Sequence, residues 1–269
     1  MFSKHSKFST YINVPKRLAK AYRRDRYGWD LLVLAICLKL HRGDSGFYPS
    51  VRNIMLTFHV SHAKAKRLLE GAMNDKELFN YNPYTNFLSA KAFKDRDDRR
   101  NNYSQYCLVC DCKIGDKGER IIRHQEISRQ LRDNLILCPV NAQMHMDEFH
   151  TVNNPRLVGK RALTQKHLGN IAGCHQTTVS RHLRKMEQRE EITITAHDPI
   201  PVRDIEHDIV FRRIPFRKTF VKFGFEWVRD ANEYTINSYS LGKRFKHIYY
   251  NNEHRTGENR SHLMDGFDL

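Results

Sequence analysis

Apolar residues along this chain recur at helical spacing in some stretches and alternate in others, and the two periods divide it into elements. Tyr11-Ile12-Asn13-Val14-Pro15 reads as a short extended segment, and Lys16–Arg26 as a basic helix. Gly28 precedes Trp29–Leu40, whose Leu/Ala content and length predict a buried helix. His41–Gly46 is a stop and loop. Two short helical patterns follow, about Ser50–Phe58 and Ser61–Met73, then a turn at Tyr81–Asn86 between two strands. Asp95–Asn102 is a charged loop tip, Tyr103–Ile114 alternates like one strand, and Gly115–Gly118 breaks it. His124–Leu137 carries Ile127, Leu131 and Leu135 at helical spacing and meets Pro139, with a loop expected at Thr151–Gly159. Thr164–Ala172 and Gln176–Glu190 are two more short helices, followed by a strand at Ile192–Ala196, a turn at Asp198–Pro201, a β-prone basic stretch at Ile209–Trp227 and a strand at Tyr234–Tyr239. The polar tail after Tyr250 reads as loose.

The pattern repeats. At an offset of 114 residues, without gaps, Ser50 faces Thr164, Ile54 faces Leu168, Val60 faces Cys174 and Ser61 faces His175. Ala65 then faces Val179, Arg67 faces Arg181, Leu69 faces Leu183, Ala72 faces Met186 and Leu78 faces Ile192. Apolar periodicity alone agrees by chance between any two helices, but agreement through a turn, a second helix and a strand points to a duplicated unit.

Leu163–Ile192, LTQKHLGNIAGCHQTTVSRHLRKMEQREEI, resembles the helix-turn-helix of bacterial winged-helix DNA-binding proteins. The resemblance implies that Leu168, Ile171 and Ala172 are the buried side of the first helix and that Gly173 makes the turn. Val179, Leu183 and Met186 would seat the second helix on the core. Gln176, Thr177, Thr178, Ser180, Arg181 and Arg184 would then lie on its outer side, and these side chains hydrogen-bond base edges and phosphates. His175 stands where the cap is often Ser, a departure from the pattern. An ordinary helical hairpin with a polar face is the competing reading. Against it, Arg156–Arg189 holds eight Lys/Arg and a single acid, Glu187.

In the first half, Tyr48-Pro49-Ser50 leads into the corresponding pair, with Ser61 as a cap and His59 where glycine is usual. Its outer candidates are His62, Ala63, Lys64, Lys66 and Arg67, for reading bases, holding phosphate or dimerising. A tandem pair of such units is similar to replication-initiation and regulatory proteins of bacterial plasmids and phages. The resemblance implies an α+β fold, mainly α with small β-wings, built as two tandem winged helix-turn-helix domains. The expected division is a basic segment over 1–28, one winged-helix domain over 29–118, a second over 119–250 with an insertion at 198–227, and a flexible tail over 251–269.

Charge supports a polyanionic partner. The chain has 46 Lys+Arg against 30 Asp+Glu, a formal net charge of +16, and its simplest physical use is phosphate neutralisation. The first 29 residues carry eight Lys/Arg and one acid, Asp25, so Lys16, Arg17, Lys20, Arg23 and Arg24 are expected to hold phosphates without reading sequence. The most apolar run, Leu31–Leu40, is about half the length that spans a bilayer, and the basic N-terminus is not followed by an apolar segment with a small-residue cleavage site. The expectation is therefore no membrane partner and an intracellular location, and the resemblance implies the bacterial cytoplasm, on the nucleoid or in a phage-infected cell. Double-stranded DNA is the expected partner, with a second copy of the chain as another.

Other constellations are weaker. Cys107-Leu108-Val109-Cys110-Asp111-Cys112 contains one C-x-x-C, half a zinc site if His145 or His150 joined it, but the segment alternates like a strand and no second C-x-x-C exists. Cys37, Cys138 and Cys174 sit among apolar residues, as free thiols do. Phe211–Lys222 reads as a hairpin with a Phe face in the core, or as a wing on DNA. Tyr249, Tyr250 and His247, with Arg181 and Arg184, would suit a tyrosine attack on phosphodiester, but such residues are abundant here. No phosphate-binding glycine loop and no H-E-x-x-H occur. The expected protein is not an enzyme, has no catalytic residues, and uses neither metal nor cofactor. Sequence-specific binding in transcriptional regulation leads, and initiation of plasmid or phage replication at origin repeats is the alternative.

Overall fold

A computed structural model describes residues 11–42, 46–93, 105–153, 163–202, 218–229, 232–237 and 243–248. The first strand, β1 (Tyr11–Pro15), runs into helix α1 (Lys16–Tyr22), and α2 (Arg26–Arg42) follows. The Asp25 carboxylate accepts from the Tyr27 N–H at 2.9 Å and the Gly28 N–H at 3.0 Å, so α2 starts at Arg26 and contains Gly28 rather than following it. The one acid of the basic segment thus serves as a helix cap. Every residue of α2 from Leu31 to Leu38 is buried, as an apolar run without a polar stripe requires.

Helices α3 (Val51–Phe58) and α4 (His62–Asn74) lead to strands β2 (Phe79–Asn82) and β3 (Phe87–Ala90). The expected single strand at Tyr103–Ile114 is instead two within the described residues, β4 (Gln105–Asp111) and β5 (Lys113–Ile114), in different sheets. β5 turns back through Gly115–Gly118 to pair with β6 (Arg120–Ile121). Helix α5 (His124–Asn153) continues past the expected His124–Leu137 pattern, through Pro139, and covers the start of the expected loop at Thr151. A proline removes one hydrogen bond. The burial of Ile127, Leu131, Leu135, Ile136, Leu137 and Val140 holds the helix on both sides of that gap.

Then come α6 (Gln165–Ala172), α7 (Gln176–Gln188), β7 (Ile192–Thr195), β8 (Ile200–Pro201), β9 (Lys218–Lys222), β10 (Phe225–Arg229), β11 (Glu233–Ile236) and β12 (Phe245–Ile248). The fold is α+β, with small antiparallel sheets among seven helices in the described residues. The loop tip at Asp95–Asn102 and the tail over 251–269 lie outside them.

The repeat is exact in its helix bounds. Val51 and Gln165, Phe58 and Ala172, His62 and Gln176, and Asn74 and Gln188 are each 114 residues apart. Each pair follows a long helix, α2 or α5, and precedes a two-stranded sheet, β2–β3 or β7–β11. Between β7 and β11 in the chain lies a separate sheet of order β8-β10-β9, formed by described residues within and just beyond the expected insertion.

The halves share one core. β1 and β12 flank β4 in a single antiparallel sheet, with Val14 opposite Leu108 and Phe245 opposite Leu108 from the other side. Buried residues from Val14 to Phe245 form one hydrophobic cluster, and it runs across the expected boundary at residues 118–119.

Candidate nucleic-acid interface

Local chemistry sets the α6–α7 angle. Thr164 Oγ1 accepts from the His167 N–H at 3.1 Å and caps α6. Gly173 ends that helix at φ 66°, and its N–H and that of Cys174 both turn to the Gly169 carbonyl. A side chain at Gly173 would also strike Arg23, whose Cγ and carbonyl oxygen lie 2.7 Å from where a Cβ would be. His175 proves able to cap α7. Its Nδ1 accepts from the Thr177 N–H at 3.3 Å and sits 3.0 Å from the Thr177 hydroxyl, so α7 begins at Gln176.

Val179, Leu183 and Met186 are buried as the spacing predicts. Opposite them Gln176, Thr177, Arg181 and Arg184 are exposed, while Thr178 and Ser180 are half-buried. Thr177, Ser180, Arg181, Arg184, Lys185 and Gln188 line a shallow groove of about 440 Å³. Lys185 and Gln188 were not singled out in the sequence, although Arg181 plus four and Arg184 plus four lead to them directly. Among the described residues no carboxylate forms an ion pair with Arg181, Arg184 or Lys185.

A polar network behind the helix holds its rotation. His182 Nδ1 meets the buried Asp133 carboxylate of α5. Arg189 bridges Asp133 at 3.4 Å and Glu191 at 2.7 Å, and Arg244 reaches Glu191 at 2.5 Å and Asn134 at 2.9 Å. Burial opposes the charged form of Glu191, but hydrogen bonds from Arg189 and Arg244 outweigh it and hold its carboxyl below the usual range. The end of α6 is tied separately. Arg132 stacks 3.7 Å from the Trp29 ring centroid and donates to the carbonyls of Ala172 and Arg23.

The first pair has the same caps and a different outer face. Ser50 and Ser61 cap α3 and α4 by accepting from Asn53 and Lys64 N–H groups, and His59 takes the left-handed turn position at φ 52°. His62, Ala63 and Lys66 are exposed. Lys64, half-buried, and Arg67, still exposed, each hold one oxygen of Asp30 on α2, at 2.9 and 3.1 Å. Arg67 also lies over the Tyr27 ring, whose hydroxyl donates to the Arg67 carbonyl at 3.3 Å. The buried faces of α4 and α7 agree at Ala65 and Val179 and at Ala72 and Met186, and differ by one residue between them. Leu68, not Leu69, is fully buried, whereas its counterpart His182 faces Asp133. Gly71 lets α4 approach Tyr27 and Leu31, so the counterpart of Lys185 is covered.

In the N-terminal segment Arg17 and Arg24 are exposed. Lys16 is half-buried, and burial lowers its pKa. Arg23 is half-buried too and donates to the Lys20 carbonyl at 2.7 Å.

The remaining constellations have these placements. Cys110 is fully buried, and its thiol pKa is pushed up by burial. Among the described residues no group of His, Cys, Asp or Glu is arranged to hold a metal ion. The side chains of Cys107, His145, His150 and His247 lie outside the described residues, as do Tyr249 and Tyr250. Among the described residues no helix is long and apolar enough to cross a membrane. No family model, curated protein or solved structure matches this chain.

Proposed function

We propose that the protein binds double-stranded DNA sequence-specifically, with α7 as the helix that enters the major groove. One observation carries this reading: the outer face of α7 is Gln, Thr, Ser, Arg and Lys, unpaired with described carboxylates and held in place by caps and a polar network. Such side chains match the donor and acceptor pattern of base edges, and an α-helix fits that groove. Each unit is read as a winged helix-turn-helix. A long helix, a helix pair and a two-stranded sheet follow in that order in both halves. A residue shortly before each pair also bonds at the sheet that follows it: Phe47 bridges Leu88 of β3, and the Leu163 N–H donates to the Asn232 carbonyl just ahead of β11.

The two units have unequal roles. In the first, Asp30 engages Lys64 and Arg67, so α4 offers His62 and Lys66 to phosphate while α7 reads bases. The protein acts in the bacterial cytoplasm as a transcriptional regulator. The duplicated unit also suits an initiator that binds origin repeats, and the recovered DNA site decides between them: a palindrome for regulation, direct repeats for initiation. Selection of bound duplexes from a random pool is the test. Recovery of a consensus that Arg181→Ala blurs at one base pair is the expected result. Recovery of no duplex, or of unrelated sequences only, overturns the reading.

A further inference from the structure

The hairpin formed by β9 and β10 carries an unusual tip. Lys222 pairs with Phe225 across a two-residue turn, Phe223-Gly224. Both turn residues have positive φ, 55° and 78°, the geometry for which Asn-Gly is the preferred pair. A phenylalanine there costs backbone energy and gains little burial, because the residue is 82% exposed. Val221 and Phe225 beside it are 69% and 57% exposed. Lys222 lies 5.1 Å from the Phe223 ring centroid, and the Trp227 indole donates to the Lys222 carbonyl at 3.0 Å, which stiffens the tip.

The root of the hairpin is fixed to the unit that carries α7. Arg229 Nε donates to the His197 carbonyl at 3.0 Å, His197 meets Glu233 at 3.6 Å, and Glu233 pairs with Thr195 at the end of β7. A strained, solvent-facing ring beside a lysine, on an arm that springs from the strand after α7, has the chemistry of an apolar wedge for a stacked polyanion.

We propose that Phe223 inserts between neighbouring base pairs of the bound duplex from the minor groove, while Lys222 neutralises a flanking phosphate. The proposal rests on the duplex-binding reading above. A single-strand platform would need a row of exposed rings on one sheet face. Here Phe220 and Trp227, which share a face with exposed Phe225, are half-buried, and the hairpin's most exposed ring stands at the tip.

The test uses the full chain and the duplex recovered by the selection, with 2-aminopurine placed at successive positions. Wild type should brighten the probe at one step, as unstacking does, and bend the duplex in an end-to-end energy-transfer assay. Phe223→Asn creates the preferred Asn-Gly turn, so the fold should melt no lower than wild type. It should nevertheless lose the fluorescence rise and the bend, and bind about tenfold more weakly, since an inserted wedge is coupled to the deformation it makes. Phe223→Leu, still an apolar wedge, should retain most of both signals. If Phe223→Asn melts lower, Phe223→Gly, free of any positive-φ penalty, takes its place.

Equal brightening, bending and affinity in wild type and Phe223→Asn would overturn the wedge. So would tight duplex binding by wild type with no bright position, which leaves the duplex reading intact. Phe223-dependent binding confined to a single-stranded 30-mer or to anionic lipid vesicles would overturn it in favour of those surfaces. Failure to recover any duplex is a different result: it removes the duplex reading and the wedge with it.

Discussion

Arg181 and His124 show how differently two basic side chains are used. Arg181 is exposed on α7 beside Thr177 and Arg184. Its guanidinium can donate two parallel hydrogen bonds to guanine, so Arg181→Ala should weaken binding at the preferred site by about 1–3 kcal/mol. Fluorescence anisotropy gives the affinity, and the melting temperature should stay at the wild-type value. His124 is buried at the start of α5, with Nε2 3.1 Å from the Asp30 carbonyl. Desolvation, with Lys64 nearby, lowers its pKa to about 4. A histidine kept neutral by folding takes up its proton more readily when unfolded. Stability from this group is therefore full above the unfolded value of about 6.5 and is lost as pH falls toward 4. Thermal melts from pH 7 to 4 should fall less steeply for His124→Gln than for wild type; equal slopes would mean His124 is not the titrating group.

At the level of elements, orientation depends on caps and on one buried stripe. Thr164, Gly173 and His175 set the α6–α7 turn, and Val179, Leu183 and Met186 seat α7. Val179→Asp places an unpaired carboxylate at a fully buried site, which should destabilise the protein by on the order of 3–5 kcal/mol. Circular dichroism would separate this from Arg181→Ala: the first loses its cooperative melt, and the second keeps it. The stripe was legible from helical spacing and the turn glycine from the resemblance to a helix-turn-helix, because helical period and positive φ are local properties. The pairing of Lys64 and Arg67 with Asp30 was not. It depends on Asp30, more than thirty residues earlier in the chain, and no local pattern links the two.

Across the whole molecule, net charge and the shared core pull the reading of the N-terminal segment in two directions. The +16 charge predicts that log K falls steeply with log salt, each neutralised phosphate adding about −0.9 to the slope. Arg17→Gln with Arg24→Gln should reduce that slope by up to about 2 and weaken all duplexes alike, as anisotropy across a salt series would show. An unchanged slope would remove this segment from the interface. Deleting residues 1–28 does not isolate charge. It removes β1 from β4 and takes Val14 and Ala19 out of the core, so the deletion should lower the melting temperature as well.

The sequence by itself determined the elements whose signals are local: the buried helix α2, the two helix pairs, the 114-residue repeat between them, and the strands that follow, though not the pairing of β7 with β11. It also determined the basic balance of the chain and the polar outer face of α7, since both are read from residue type and period. Tertiary structure decided what depends on distant partners. It joined β1, β4 and β12 into one sheet, carried α5 through Pro139, and turned Lys16 and Arg23 partly inward. It also separated two outer faces that look alike in a 114-residue alignment, pairing Lys64 and Arg67 of one with Asp30 and leaving the cations of the other without a described carboxylate partner. The physical reason is the same throughout. Periodicity records which side of an element avoids water, while the identity of the group across the gap is set by packing alone.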